Sequence, residues 1–181
     1  MKRIKLFVAV GMSFFMIGCP TRSLFPLFSE KEVVFNPALI GTWSGEDDEG
    51  TFSFVQSGEK GYTVTMRDEK GEKEVYSASL GRLGKYWFMD SSPARDERDY
   101  HLITAHLITK IQLDGDTLRM SLLESDWLRG MIDEKKLSIA HVRRDGEIIL
   151  TASTEELQAL LRRIAKDQKA FPDPIVLARM K

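Results

Sequence analysis

The chain has 181 residues, 43% hydrophobic and 29% charged, with 26 basic and 27 acidic side chains and one cysteine. This balance is globular rather than disordered, and the length is that of a single domain able to build its own core. Near-neutral charge without a basic stripe or arginine-rich arm argues against a nucleic-acid partner, and a lone cysteine rules out an internal disulfide framework.

Lys2, Arg3 and Lys5 form a cationic head, and Leu6 to Ile17 follows without a charge. A spanning helix needs about twenty apolar residues. Leu6 to Gly18 is too short for that, and Pro20 follows at once. A charged head, an apolar run and a small residue at the end are the marks of an export signal. The stretch Met16-Ile17-Gly18-Cys19 resembles the lipobox of bacterial lipoproteins. Gly18 and Cys19 fit that pattern fully, whereas Met16 and Ile17 stand where Leu and Ala or Ser are more usual. The resemblance implies residues 1–18 as a signal peptide cut before Cys19. It also implies a diacylglycerol on the Cys19 thiol and, often, an acyl chain on the new amino group. The competing reading of Cys19 is a buried thiol that packs as a small hydrophobe. Lipidation makes the membrane a partner and places the protein in the bacterial cell envelope. Position 20 is Pro rather than Asp, which favours the outer membrane in a two-membrane cell. Loss of the head leaves 23 basic against 27 acidic side chains, near −4.

Residues 19–38 read as the lipidated N-terminus and a tether, because Pro20, Pro26 and Pro37 remove backbone donors and disfavour helix before them. Leu24, Phe25, Leu27 and Phe28 are apolar for a linker. Packing on the domain is the favoured reading, with dipping into the membrane interface as the other. A single β-rich globular domain is expected over 39–181.

That domain opens with Leu39-Ile40-Gly41-Thr42-Trp43, followed by the acidic run Glu46 to Glu49. Gly41 and Trp43 resemble the Gly-x-Trp of the lipocalin and wider calycin barrels. The resemblance implies a tryptophan plugging the closed end of an eight-stranded antiparallel barrel, with a basic side chain from a late strand lying across it. Period-two patterns support strands. Phe52 and Phe54 alternate with Thr51 and Ser53, and Tyr62, Val64 and Met66 alternate with Thr63, Thr65 and Arg67. Turns with glycine separate them at 57–61 and 68–71. Tyr76, Ala78 and Leu80 share a face, and Tyr86 to Met89 is apolar on both sides, as in a strand covered twice. A charged loop spans 91–99. Ile103, Ala105, Leu107, Ile111 and Leu113 share one face of a long strand, which turns at Asp114-Gly115 into Leu118, Met120 and Leu122. The fold class is mainly β, an antiparallel meander or lipocalin-like barrel with one short helix and one C-terminal amphipathic helix.

Ser125 or Asp126 caps the short helix, with Trp127, Leu128, Met131 and Ile132 on one side. A hairpin around Asp145-Gly146 joins 137–141 to 148–150. Ser153 and Glu156 form a capping box before Leu157, Leu160, Leu161 and Ile164 at helical spacing, and Ile175 to Met180 is a closing strand. The segment from Leu150 to Leu160, with Asp126-Trp127-Leu128, is also similar to a set of uncharacterised small bacterial envelope proteins. That likeness implies a shared fold and carries no activity.

The chemistry is sparse. His101, His106 and His141 are the only histidines. His101 and His106 would point to opposite faces of one strand, so no metal pair forms. Neither a helical His pair, a calcium loop, a nucleophile elbow nor a phosphate-cradling loop is present. The acidic run Glu46 to Glu49 reads as a solvated turn rather than a cation site. No catalytic residue, metal or cofactor is expected beyond the covalent lipid on Cys19. The function expected is a non-catalytic protein-interaction or structural module that docks another envelope protein, through an apolar patch around Trp127 and Leu128. The alternative is a binder of an apolar small molecule or lipid, lined by Phe52, Phe54, Tyr62, Val64 and Met66.

Overall fold

The computed structural model describes residues 20–45, 50–94 and 103–181. The segment read as an export signal, Cys19, the acidic run and His101 lie outside these described residues. The chain begins with β1 (Arg22–Ser23), a 3₁₀ turn at Pro37–Leu39 and β2 (Gly41–Ser44). A meander follows: β3 (Thr51–Ser57), β4 (Gly61–Arg67), β5 (Lys73–Leu83), β6 (Tyr86–Pro93), β7 (His106–Asp114) and β8 (Thr117–Leu122). Then come α1 (Ser125–Asp133), β9 (His141–Arg144), β10 (Glu147–Leu150), α2 (Thr154–Ile164) and β11 (Ile175–Arg179).

Strands β2 to β8 pair antiparallel in sequence, and β11 fits between β8 and β2 to close an eight-stranded, lipocalin-like barrel. Closure removes the sheet edges that an open meander would leave to aggregate. The register puts Trp43 opposite Phe52 and Phe54 opposite Val64, so one face of each strand enters the barrel. Trp43, Phe54, Tyr62, Leu80, Met89 and Leu118 are fully buried there.

A second core lies outside the barrel wall, where Phe88 of β6 and Ile108 of β7 pack under α1 and α2 with Leu128, Leu157 and Leu161. β6 is therefore apolar on both faces, with Met89 inside the barrel and Phe88 beneath the helices. β7 departs from the single-faced strand expected. It starts at His106, Ile103 is 74% exposed, and Ile108 and Ile111 are buried on opposite faces. A one-face reading missed the helical layer that covers the other side.

Residues 20–36 are a strap on the domain, not a free tether. β8 leaves the barrel after Leu122, and β1 takes its place beside β7, with β10 and β9 added beyond. Leu27, Phe28 and Val33 are buried in the outer core, and Val34 bridges to Leu80 on β5. Gly81 permits this approach, because a Cβ there would lie 2.4 Å from the Phe28 ring. The prolines removed donors without preventing side-chain burial: the favoured packing on the domain holds at Leu27 and Phe28, while Phe25 is 49% exposed.

Two further boundaries move. α1 is capped by Glu124, whose carboxylate accepts from the Trp127 N–H, while Ser125 is buried in the first turn. The hairpin around Asp145-Gly146 is built by His141–Arg144 and Glu147–Leu150, with positive φ at both turn residues as a type I′ turn requires. The capping box of Ser153 and Glu156 on α2 forms as the sequence implied.

Candidate functional site

The closed end of the barrel is built around Trp43. Its indole N–H donates to the Leu39 carbonyl at 3.0 Å, and the Arg179 guanidinium lies 4.1 Å from its ring centroid. Arg179 also donates to the carbonyls of Ile40 (2.7 Å) and Ala38 (2.6 Å) and to Asp116 (3.0 Å). This is the late-strand cation that the Gly-x-Trp pattern implied. Gly41 makes room for it: φ is +132°, and a Cβ would meet the guanidinium at 2.8 Å. Tyr62 ties the 3₁₀ lead to the wall, accepting the Asn36 N–H at 2.6 Å and donating to its carbonyl at 3.2 Å. Burial raises the Tyr62 phenol above its ordinary value.

Of the five residues read as a ligand wall, Phe54, Tyr62 and Val64 are buried in the barrel core and Phe52 packs half-buried against them. Met66 faces Phe52 across the pair and is half-buried outside that cluster. The interior around them is occupied by side chains, chiefly Trp43, Leu80 and Met89. Two clefts lie on the outside of the barrel, and Tyr62 is the one of the five that reaches either.

The first cleft, about 220 Å³, opens over the outer face of β5 and β6. Ser77 pairs with Ser92 and Ser79 with Asp90, so small polar side chains share this outward face. Pro26 and Phe28 of the strap wall one side, and His106 lines another. Asp90 is only 5% exposed. Its Oδ2 accepts the Leu27 N–H at 2.7 Å, and its Oδ1 lies 2.7 Å from His106 Nδ1. The sequence weighed His106 only against His101. The available signal was Asp90, a carboxylate directly behind the apolar run Tyr86 to Met89.

The second cleft, about 380 Å³, runs between α1 and the end of α2. Trp127, Met131, Leu137 and Ile164 supply apolar walls, and Arg163, Lys166 and Asp167 the rim. The Asp167 carboxylate is engaged by the Lys169 N–H at 2.8 Å. Leu128, read from sequence as part of an exposed patch with Trp127, is fully buried in the outer core. Helical spacing turns it inward.

Lys110 lies outside both clefts. It donates to the Ala165 carbonyl at 2.8 Å, capping α2, and its ammonium sits 5.1 Å from the Tyr86 ring centroid. Burial lowers its pKa. Among the described residues, no three His, Cys, Asp or Glu side chains gather to hold a metal, and no helix is long and apolar enough to cross a membrane. Comparison with protein-family models, curated proteins and solved structures gives no match.

Proposed function

We propose that this is an exported bacterial lipoprotein, lipid-anchored through Cys19 in the cell envelope, that acts without catalysis as an interaction module. The anchor reading rests on the lipobox resemblance and the short apolar run before it. The observation that carries the interaction reading is the half-buried Trp127–Met131 groove, outside a barrel whose interior holds a cluster of large buried side chains. An aromatic and a methionine in a groove are the usual anchors of a protein contact. Arg163 and Lys166 outnumber Asp167 on the rim, which is therefore net cationic, so the partner segment is apolar with an acidic flank.

Two measurements test this. Cys19→Ser should abolish incorporation of a palmitate analogue, and retained label would end the anchor proposal. A photo-crosslinking residue at position 131, in the native host, should give one discrete adduct that disappears in the pair Arg163→Glu and Lys166→Glu. No adduct, or one indifferent to charge reversal, would remove the groove from consideration.

The lipocalin-like closure by Trp43 and Arg179 favours a second reading, an apolar ligand held within the barrel. Such a ligand must displace Phe54 or its neighbours. Saturable binding of a fluorescent fatty acid, weakened by Phe54→Ala, would establish it in place of the groove.

A further inference from the structure

We infer that the cleft over β5 and β6 is a binding site for a small, neutral, hydroxyl-bearing molecule of about monosaccharide size. The inference is independent of the lipid anchor and of the α1–α2 groove.

The cleft exists because the outward row of β5 and β6 changes character along its length. Toward the β5–β6 turn, the Phe28 ring fills the space over Gly81, and Phe171 packs on Phe88 at 5.7 Å between centroids. Two residues further on, the paired positions carry Ser79 and Asp90, then Ser77 and Ser92. Nothing large projects from them, and a hollow remains between the strap and the β3–β4 turn at Ser57 and Gly61.

The polar groups at this hollow are held in place. As a carboxylate, Asp90 accepts from both Leu27 N–H and His106 Nδ1–H. With its proton on Nδ1 a neutral ring offers Nε2 as an acceptor and an imidazolium offers it as a donor, and a hydroxyl can meet either. A buried carboxylate orienting a cleft-lining histidine in this way is the arrangement used to present one ring nitrogen to a ligand. An outer strand row with a purely structural role needs no such orientation.

Charge selects the ligand. Among the described residues no lysine or arginine lines the cleft, so an anion finds no dedicated counter-charge there. Asp90 is only 5% exposed and both its oxygens face protein partners, so a cation finds little access to the carboxylate. What remains is the His106 imidazole, the hydroxyls of Ser77, Ser79 and Ser92, and the apolar surfaces of Pro26 and Phe28. Hydroxyl groups both donate and accept, which suits serines and Nε2 together, and the C–H face of a polyol ring suits the apolar wall. A volume of about 220 Å³ falls below the roughly 300–1,000 Å³ of pockets for drug-sized ligands, which limits the ligand to one ring.

The test is a titration of the full chain in detergent, read by the side-chain ¹⁵N signals of His106. Glucose, N-acetylglucosamine and myo-inositol are the probes, with acetate and putrescine as charged controls. A saturable shift of Nε2 with at least one neutral probe, and with neither control, is the expected result. Ser77→Phe, at an exposed position, should fill the hollow and weaken binding at least tenfold while the thermal midpoint stays unchanged. His106→Gln, read by isothermal titration calorimetry with the same probes, should weaken it comparably. A trimer that binds at least as well as its monomer identifies the ligand as a glycan end, and binding of the monomer alone identifies a free sugar. No shift with any neutral probe, an equal shift with a charged control, or binding that survives Ser77→Phe would overturn the site.

Discussion

Trp43 and Arg179 together decide how the barrel ends. The indole fills the closed end, and the guanidinium takes up the Ala38 and Ile40 carbonyls that the 3₁₀ turn leaves over. Trp43→Ala should cost about 3–5 kcal/mol, as expected for deleting a fully buried aromatic. A loss below about 1 kcal/mol in urea denaturation would mark Trp43 as peripheral. Arg179→Leu keeps much of the packing but leaves both carbonyls without their charged donor, so about 2 kcal/mol should go. A double-mutant cycle should show the pair coupled by about 0.5–2 kcal/mol, the range for a cation over an aromatic face. The tryptophan was legible in the sequence because Gly41 and Trp43 stand two residues apart. The particular cation was not, because Arg179 is 139 residues from Ile40. Asp90 and His106 escaped for the same reason: their relation exists only once β6 and β7 are paired.

At the scale of elements, the strap is the segment whose path was least legible. Its apolar residues announced packing on the domain, but its prolines and irregular spacing give no strand or helix period to say where. Strands β3 and β4 and helix α2, by contrast, carry their own period and were legible almost to the residue. Burying Leu27, Phe28 and Val33 stabilises by about 1.5–3 kcal/mol each, together comparable with the net stability of a domain. A chain starting at Asn36 should therefore be unfolded or bind a hydrophobic dye at 25 °C, whereas one starting at Pro20 should melt cooperatively. Equal stability of the two would show the strap to be dispensable. The strap should also respond to pH. Glu32 accepts from the Ser29 hydroxyl and N–H and from Gln158 on α2, and these bonds, led by the Ser29 hydroxyl, lower its pKa below the ordinary 4.5. A depressed carboxyl contributes stability above its unfolded pKa and loses it as pH falls through the folded value. Amide exchange at the strap should rise below about pH 4 ahead of exchange in the barrel. Glu32→Gln should remove that acid response, and an unchanged profile would show that another group carries it.

On the scale of the whole molecule, the proposed anchor and the groove belong to the same end. Pro20 bridges to Glu124, the cap of α1, and the Thr21 N–H donates to the Leu123 carbonyl at 3.0 Å. Cys19 is one peptide bond before Pro20, and Trp127 is three residues after Glu124. A lipid on Cys19 would thus hold α1 at the bilayer with almost no slack, and the partner segment in the groove would be one held near the membrane surface. Such confinement acts as a high effective concentration, which falls as the connecting chain lengthens. Fifteen Gly and Ser residues inserted between Cys19 and Pro20 would span about 20 Å root-mean-square and leave every described contact of the domain available. The insertion should leave lipid labelling and the thermal midpoint unchanged while lowering the position-131 adduct severalfold. Undiminished adduct would mean that the partner meets the groove from the aqueous side, and that the closeness of anchor and groove has no part in its recognition.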